Sequence, residues 1–174
     1  MLPLFERAQT NTVLRRLAYA LIPSHHGTVE LLAAPDLAGP SLLLASQGLL
    51  AGGSARAVAL CAACCGVASW ASRHGVRLAA AGNGGAAGKG YGRALQPAQC
   101  VALWGYAALG HCLWLLLPPR AATAALASSA LVLAVVLYRT VSVLRGTCWA
   151  CVAGALAFGA HVALFPLAFA SLLP

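Results

Sequence analysis

Long apolar stretches separated by short polar segments make up most of this chain. Five stretches contain no Asp, Glu, Lys or Arg, and they lie at residues 37–53, 57–72, 98–117, 121–138 and 148–173. A helix needs about 20 apolar residues, each rising about 1.5 Å, to cross a hydrocarbon core of about 30 Å. The third stretch has this length. The pattern therefore predicts an all-α fold, a polytopic membrane protein built as a bundle of five transmembrane helices.

The five stretches differ in strength. The first is the weakest, because Ser41, Ser46, Gln47 and Gly48 dilute its leucines, and we expect it to insert as a hairpin with the second. The second is short, and we expect its helix to continue through the basic residues that follow, whose long side chains can reach the interface. In the fifth, Pro166 predicts a kink, which membrane helices tolerate when neighbours satisfy the freed carbonyl group.

Basic residues alternate in number between the successive stretches. Three precede the first stretch, and the following segments hold one, four, one, two and none. They are Arg7, Arg15, Arg16, Arg56, Arg73, Arg77, Lys89, Arg93, Arg120, Arg139 and Arg145. Cytoplasmic loops of membrane proteins are enriched in Lys and Arg. The alternation predicts a cytosolic N-terminus and a luminal C-terminus, with residues 1–36 as a short cytosolic segment and residues 37–174 as the membrane domain.

Composition supports a membrane protein and excludes several other classes. An apolar fraction of 61% with 8% charged residues cannot be covered by a polar surface in a soluble domain of this size. The net charge of +8 would suit nucleic acid. The basic residues, however, flank apolar segments instead of forming one face, so we expect contact with the lipid bilayer and no nucleic-acid partner.

Acidic residues are confined to the N-terminal segment. Glu6, Glu30 and Asp36 are the three acids of the chain, and all precede the first stretch. Carboxylate-driven proton transfer and Ser-His-Asp catalysis within the membrane therefore lack a necessary group. We expect no enzyme activity and no catalytic residue.

Cysteine pairs and a glycine-rich segment raise two further chemistries. Cys61 with Cys64 and Cys148 with Cys151 have the CxxC spacing of zinc ligands. Four thiolates in a membrane would need excellent geometry to offset their desolvation, so we expect these residues to fill space and to bind no metal. Residues 79–92 lack the required P-loop residues, and we expect a flexible cytosolic linker there.

His111 and His161 lie at equal depth in the third and fifth stretches. Each is thirteen residues beyond the start of its stretch, at Ala98 or Cys148, which corresponds to about 20 Å. Intramembrane ionisable residues usually face a partner or a cavity. One interpretation is bis-histidine haem ligation. We favour hydrogen bonding of neutral imidazoles, with Tyr106 or the other histidine as partner, in third and fifth helices that pack together.

Four short motifs occur in a fixed order along the chain. Asp36-Leu37-Ala38-Gly39-Pro40 opens the first stretch, and Gly105-Tyr106 lies in the third. The surrounding residues 102–112 end in Gly-His-Cys, and a last motif extends from residues 138–141 to residues 159–161. In this order the motifs resemble the Yip domain family, the Ypt/Rab-interacting five-span proteins of the Golgi and early secretory pathway, and most closely its member-three branch.

The resemblance implies a non-enzymatic Golgi membrane protein that supports vesicle-mediated transport or Golgi organisation. Its partners would be a related Yip-domain protein, in a hetero-oligomer, and a Rab/Ypt GTPase, and no cofactor is implied. The alternatives are an accessory subunit of a larger membrane complex, such as a respiratory one, or a small haem-binding membrane protein that uses the two histidines.

The motif residues have structural interpretations. Pro40 suits the first turn of a helix, and the charge of Asp36 is favoured just before a helix N-terminus. Gly105 allows close approach of a neighbouring helix, and the Tyr106 hydroxyl can form a bond across helices. The structural motif residues are Asp36, Leu37, Gly39, Pro40, Gly105, Tyr106, His111 and His161.

Overall fold

The computed structural model describes residues 10–22, 32–33, 35–81, 95–145 and 147–164, and these residues contain helices and no strand. A short helix α1 precedes the predicted membrane domain, and five helices follow it. The elements are α1 Thr10–Leu21, α2 Ala38–Leu50, α3 Ala55–Ala81, α4 Pro97–Leu116, α5 Pro119–Arg145 and α6 Thr147–Gly159, which continues into a π-helical turn at Ala160–Leu164. The all-α prediction is confirmed for the described residues.

Three of these helices are long and apolar enough to cross a membrane, namely α3, α4 and α5. This is the architecture of a multi-pass membrane protein whose apolar helices contact lipid. Helix α2 has 13 residues and is about 20 Å long, and α6 with its π-helical turn is also a shorter apolar helix. The five-crossing arrangement therefore stays a prediction.

Helix bounds differ from the predicted stretches at several points. Helix α3 continues past residue 72, through Arg73 and Arg77, to Ala81. Helix α5 continues beyond residue 138 to Arg145. Residues 82–94, which hold most of the predicted linker, and residues 165–173, the end of the fifth stretch, lie outside the described residues.

Tight turns connect two antiparallel helix pairs. Helices α2 and α3 form the expected hairpin, because Gly52 and Gly53 adopt positive φ angles of 141° and 65° in the turn between them. The α2–α3 contact is close: a Cβ atom on Gly48 would overlap the backbone of Val58. Helices α4 and α5 are joined through Leu117 and Pro118, so they also run in opposite directions.

Helix α4 lies at the centre of the bundle. It packs against α1, α2, α3 and α5. Of an 18-residue apolar segment of α4, 61% is buried inside the bundle, compared with 22% of the corresponding segment of α3. Helix α6 packs mainly along α5, and α4 and α6 have no extended contact within the described residues. The third and fifth helices were expected to pack together. The structure joins them through His111 on α4 and His161 in the π-helical turn after α6, without an extended contact along the described residues of the two helices.

Candidate functional site

A buried carboxylate joins three separate parts of the chain. Asp36 lies just before α2 and is 1% exposed. Its Oδ2 atom accepts a hydrogen bond of 2.7 Å from the Tyr106 hydroxyl on α4 and forms an ion pair with the Arg16 guanidinium on α1. Its Oδ1 atom accepts a bond of 3.0 Å from the Gly39 backbone N–H. We call Arg16, Asp36, Gly39 and Tyr106 the Asp36 cluster.

The local sequence explains why the carboxylate lies there. A helix begins with backbone N–H groups that have no partner within the helix, and Asp36 satisfies one of them at Gly39. Leu37 is half-buried and occupies the N-cap position, and its carbonyl accepts the Ser41 N–H at 3.0 Å. Pro40 has no N–H that would need a partner, so the first turn of α2 accepts it.

Two glycines allow α2 and α4 to approach closely beside the Asp36 cluster. A Cβ atom on Gly39 would overlap the Tyr106 ring, and a Cβ atom on Gly105 would overlap Pro40. Motif residues that lie more than sixty positions apart in the sequence therefore interlock at one point of the bundle. Larger side chains at either glycine would separate the Tyr106 hydroxyl from its acceptor.

Arg16 is the member of this cluster that the sequence analysis did not identify. It is 4% exposed, although the charge pattern assigned it only to an orientation signal. Helix α1 places Arg16 and Ala20, which are four residues apart, on one buried face against α4 and α5. The Ser128 hydroxyl on α5 donates to the Leu21 carbonyl at the end of α1. An acidic residue next to a membrane span requires a partner of opposite charge or a hydrogen-bond donor. This requirement was the one feature of the sequence that could have indicated a basic partner for Asp36.

The second buried polar cluster contains His111, His161 and Ser129, each 0% exposed. His111 Nε2 lies 3.1 Å from the His161 carbonyl oxygen, and Ser129 Oγ lies 2.9 Å from His161 Nε2. The two imidazole ring centroids are 4.2 Å apart. The prediction that each histidine faces the bundle interior and finds a polar neighbour is confirmed. Of the two expected partners, Tyr106 and the other histidine, the contact is with the other histidine. We call these three residues the histidine cluster.

The acceptors in the histidine cluster determine which ring nitrogens carry protons. A carbonyl group only accepts, so His111 Nε2 donates to the His161 carbonyl. The Ser129 hydroxyl donates its one proton to the Leu126 carbonyl at 3.0 Å, so it accepts from His161 Nε2. Both imidazoles therefore act as neutral Nε2–H donors, a form that is compatible with a membrane interior.

The His161 carbonyl lies in the π-helical turn and accepts its bond from the His111 imidazole. In a π-helix each carbonyl accepts from the N–H five residues later, and five residues after His161 the sequence has Pro166, which carries no N–H. The His111 imidazole therefore supplies a donor that the proline at this position of the sequence cannot. Gly110 makes the neighbouring contact possible, because a Cβ atom there would overlap the Ser129 side chain.

Neither cluster has the geometry of a reaction centre or a metal site. The histidine rings are in direct contact, so this arrangement leaves no space for a haem iron between them. Within the described ranges, no three His, Cys, Asp or Glu residues are grouped so that they could hold a metal ion. Cys61 and Cys64 lie in the middle of α3, whereas Cys148 and Cys151 are exposed at the start of α6.

Helix geometry gives the spacing of the two clusters. Tyr106 and His111 lie nine and fourteen residues from the start of α4 at Pro97, or about 14 Å and 21 Å. Both clusters are therefore inside the length of the helix, and both hold neighbouring helices together.

Comparison with family models, with curated proteins and with solved structures finds no match to this chain.

Proposed function

We propose that this protein is a non-enzymatic integral membrane protein of the Golgi and early secretory pathway. It assembles with a related Yip-domain protein and supports vesicle-mediated transport or Golgi organisation. One observation carries the proposal: two of the four motifs on which the family resemblance rests, at residues 36–40 and 105–106, meet in the Asp36 cluster. Motifs that interlock in this way act through packing, which suits a protein whose function is assembly.

The contacts of the Asp36 cluster support a structural role over a chemical one. Both carboxylate oxygens of Asp36 have donors from the protein, and the cluster is buried. A catalytic carboxylate must reach a substrate, whereas this one connects α1, α2 and α4. A Rab/Ypt GTPase is a second partner within the proposal.

Five crossings belong to the same proposal, with a cytosolic N-terminus and a luminal C-terminus. Helix α2 is short, but α3 covers one side of it through their hairpin and α4 another. Non-helical backbone at membrane depth is tolerated where protein surrounds it, and the non-helical backbone at Asp36 is covered by α1 and α4. The first crossing would thus consist of α2 and the backbone at the buried Asp36 that precedes it.

Glycosylation mapping tests the orientation. Acceptor sites added after residue 173 should be modified, and sites added within residues 82–92 should remain unmodified. The opposite pattern would contradict the orientation without affecting the packing of the two clusters.

Localisation and co-purification test the function. A tagged copy should reside in Golgi membranes and should co-purify with a Yip-domain protein. Gly105→Ala, which places a methyl group against Pro40, should reduce the amount of the co-purified partner, whereas Gly159→Ala, with open space around it, should not. A mitochondrial location with respiratory subunits in the purified sample would instead support the accessory-subunit alternative.

A further inference from the structure

An apolar groove of about 810 Å³ runs along the side of the bundle between α3, α5 and α6. One wall is a continuous face of α3 from Leu60 to Leu78, and Trp104 and Leu137 line the groove between this wall and α6. No charged residue lines it. Its hydroxyl group, on Ser72, already accepts a bond of 2.9 Å from the Trp104 indole N–H. The groove therefore offers an apolar ligand a surface without unpaired hydroxyl groups.

The size of the groove favours a lipid chain over a protein helix. Its α3 wall extends over nineteen residues, from Leu60 to Leu78, a rise of about 27 Å. A helix of that length with a diameter of about 10–12 Å would occupy about 2,000–3,000 Å³, which exceeds even the whole empty space of about 1830 Å³ within the groove and its open mouth. Pockets of about 300–1,000 Å³ with apolar linings are those that take small hydrophobic ligands.

Charge and aromatic residues mark one end of the groove as the headgroup end. Gly75, Leu78 and Trp149 line that end, and the residues His74 and Arg77 each precede one of these lining residues on α3. Tryptophan is enriched at membrane interfaces, where one part of the ring is apolar and another is hydrated. This end therefore corresponds to the level of lipid headgroups.

Arg77, the basic residue next to this end of the groove, has no carboxylate partner within the described part of the chain. Asp36 is the one acidic residue there, and it is paired with Arg16 on the opposite side of α4. An anionic phosphate group in the adjacent leaflet would supply the missing charge for Arg77. We propose that the groove binds one acyl chain of an anionic phospholipid whose phosphate group lies against Arg77.

This proposal depends on the membrane-embedded helices and is independent of the Golgi and partner assignments. Quenching of tryptophan fluorescence by brominated acyl chains tests it directly, because bromine quenches only at close range. Replacing Trp70, Trp114 and Trp149 with Phe leaves Trp104, which is 4% exposed and lines the groove, as the single reporter. The protein is reconstituted in vesicles that contain brominated phosphatidylglycerol or brominated phosphatidylcholine.

Two glycines of α3 provide a matched pair of variants. Gly75 lines the groove and Gly66 does not, and a Cβ atom on either meets no other atom within 4 Å. Gly75→Leu should fill the groove and remove most of the quenching of Trp104, whereas Gly66→Leu should leave it unchanged. Ala71→Leu is a second groove-filling variant if Gly75→Leu does not fold.

The headgroup is tested by the difference between the two lipids. Phosphatidylglycerol should quench Trp104 several-fold more than phosphatidylcholine at equal content, and Arg77→Gln should abolish this difference. Equal quenching by the two lipids, or equal quenching in Gly75→Leu and Gly66→Leu, would overturn the proposal. Absence of quenching by either lipid would also overturn it, and a second chain in the purified sample would then identify a protein helix as the occupant.

Discussion

The Asp36 cluster and the histidine cluster both bury polar groups between helices, but only the first buries charge. Asp36 is paired with Arg16 from a helix outside the predicted spans, whereas His111, His161 and Ser129 bond to one another and to backbone carbonyls as neutral groups. Removing one partner of a buried ion pair leaves an uncompensated charge, while removing one neutral hydrogen bond in a membrane has a small effect. The comparison teaches that the attachment of α1 depends on charge, and that the contact of α4 with the end of α6 depends on many weak interactions.

The largest effect should come from Asp36→Ala. Without the carboxylate, the Arg16 guanidinium stays buried next to no acid, and loss of one partner of such a pair costs about 3–5 kcal/mol of folding free energy. Unfolding of the purified protein by dodecyl sulfate titration measures this loss. The double variant Arg16→Leu with Asp36→Leu should recover most of it, and a double variant as unstable as Asp36→Ala would show that charge burial is not the cause.

Gly105→Ala should have the next largest effect. The added methyl group overlaps Pro40, and such overpacking destabilises by about 1–3 kcal/mol. Gly159→Ala is the control, because its Cβ atom meets open space and an alanine raises helix propensity. The same titration should rank Gly105→Ala below the parent protein and Gly159→Ala at or above it, and equal effects would contradict the close approach of α2 and α4.

Tyr106→Phe should have a smaller effect. It removes the 2.7 Å bond to Asp36 but leaves the carboxylate with Arg16 and the Gly39 N–H. The expected loss is about 1.5 kcal/mol, near the upper end for hydrogen bonds measured in membrane proteins. Tyr138→Phe is a matched control, since its hydroxyl forms no bond that the described residues reveal, and a similar loss in both variants would contradict the assignment.

The histidine variants should have the smallest effects and should differ from each other. His161→Leu removes the bond to Ser129 but keeps its own carbonyl paired with His111. His111→Leu removes the donor that this carbonyl has among the described residues, and Pro166, five residues later in the sequence, carries no N–H to replace it. Interhelical bonds in membrane proteins average about 0.6 kcal/mol, with a maximum of about 1.7 kcal/mol. His111→Leu should therefore be the more destabilising of the two, and the reverse order would contradict the role given to the π-helical turn.

The helices and part of both clusters could be predicted from the sequence for a simple reason. Uncharged stretches of about 20 residues favour helices because backbone groups in lipid must bond within the segment. The equal depth of His111 and His161 follows from the fixed rise per residue, and it was sufficient to predict a buried polar contact but not to choose between Tyr106 and the other histidine as the partner. The contact between Asp36 and Tyr106 was not predicted. The local sequence does not indicate which two helices are neighbours or how closely they approach.

Helix ends were predicted less well than helix positions. The continuation of α3 through Arg73 and Arg77 was expected. Arg139 was used as the end of the fourth stretch, but α5 continues through it to Arg145. Long basic side chains can extend to the interface from within a helix, so charge does not terminate the hydrogen-bonding pattern. Helix α2 ends before the turn at Gly52 and Gly53, whose positive φ angles are not helical. Helix α4 ends just before Pro118.

The sequence by itself determined the all-helical class and the low charge of the membrane domain, because these follow from local composition and periodicity. Tertiary structure alone decided that Arg16 is the partner of Asp36, that α6 packs along α5, and that a groove remains beside Trp104. Each of these depends on which helix faces meet. In a membrane, where apolar faces are all compatible with lipid, close packing of small residues and a few polar contacts decide that choice.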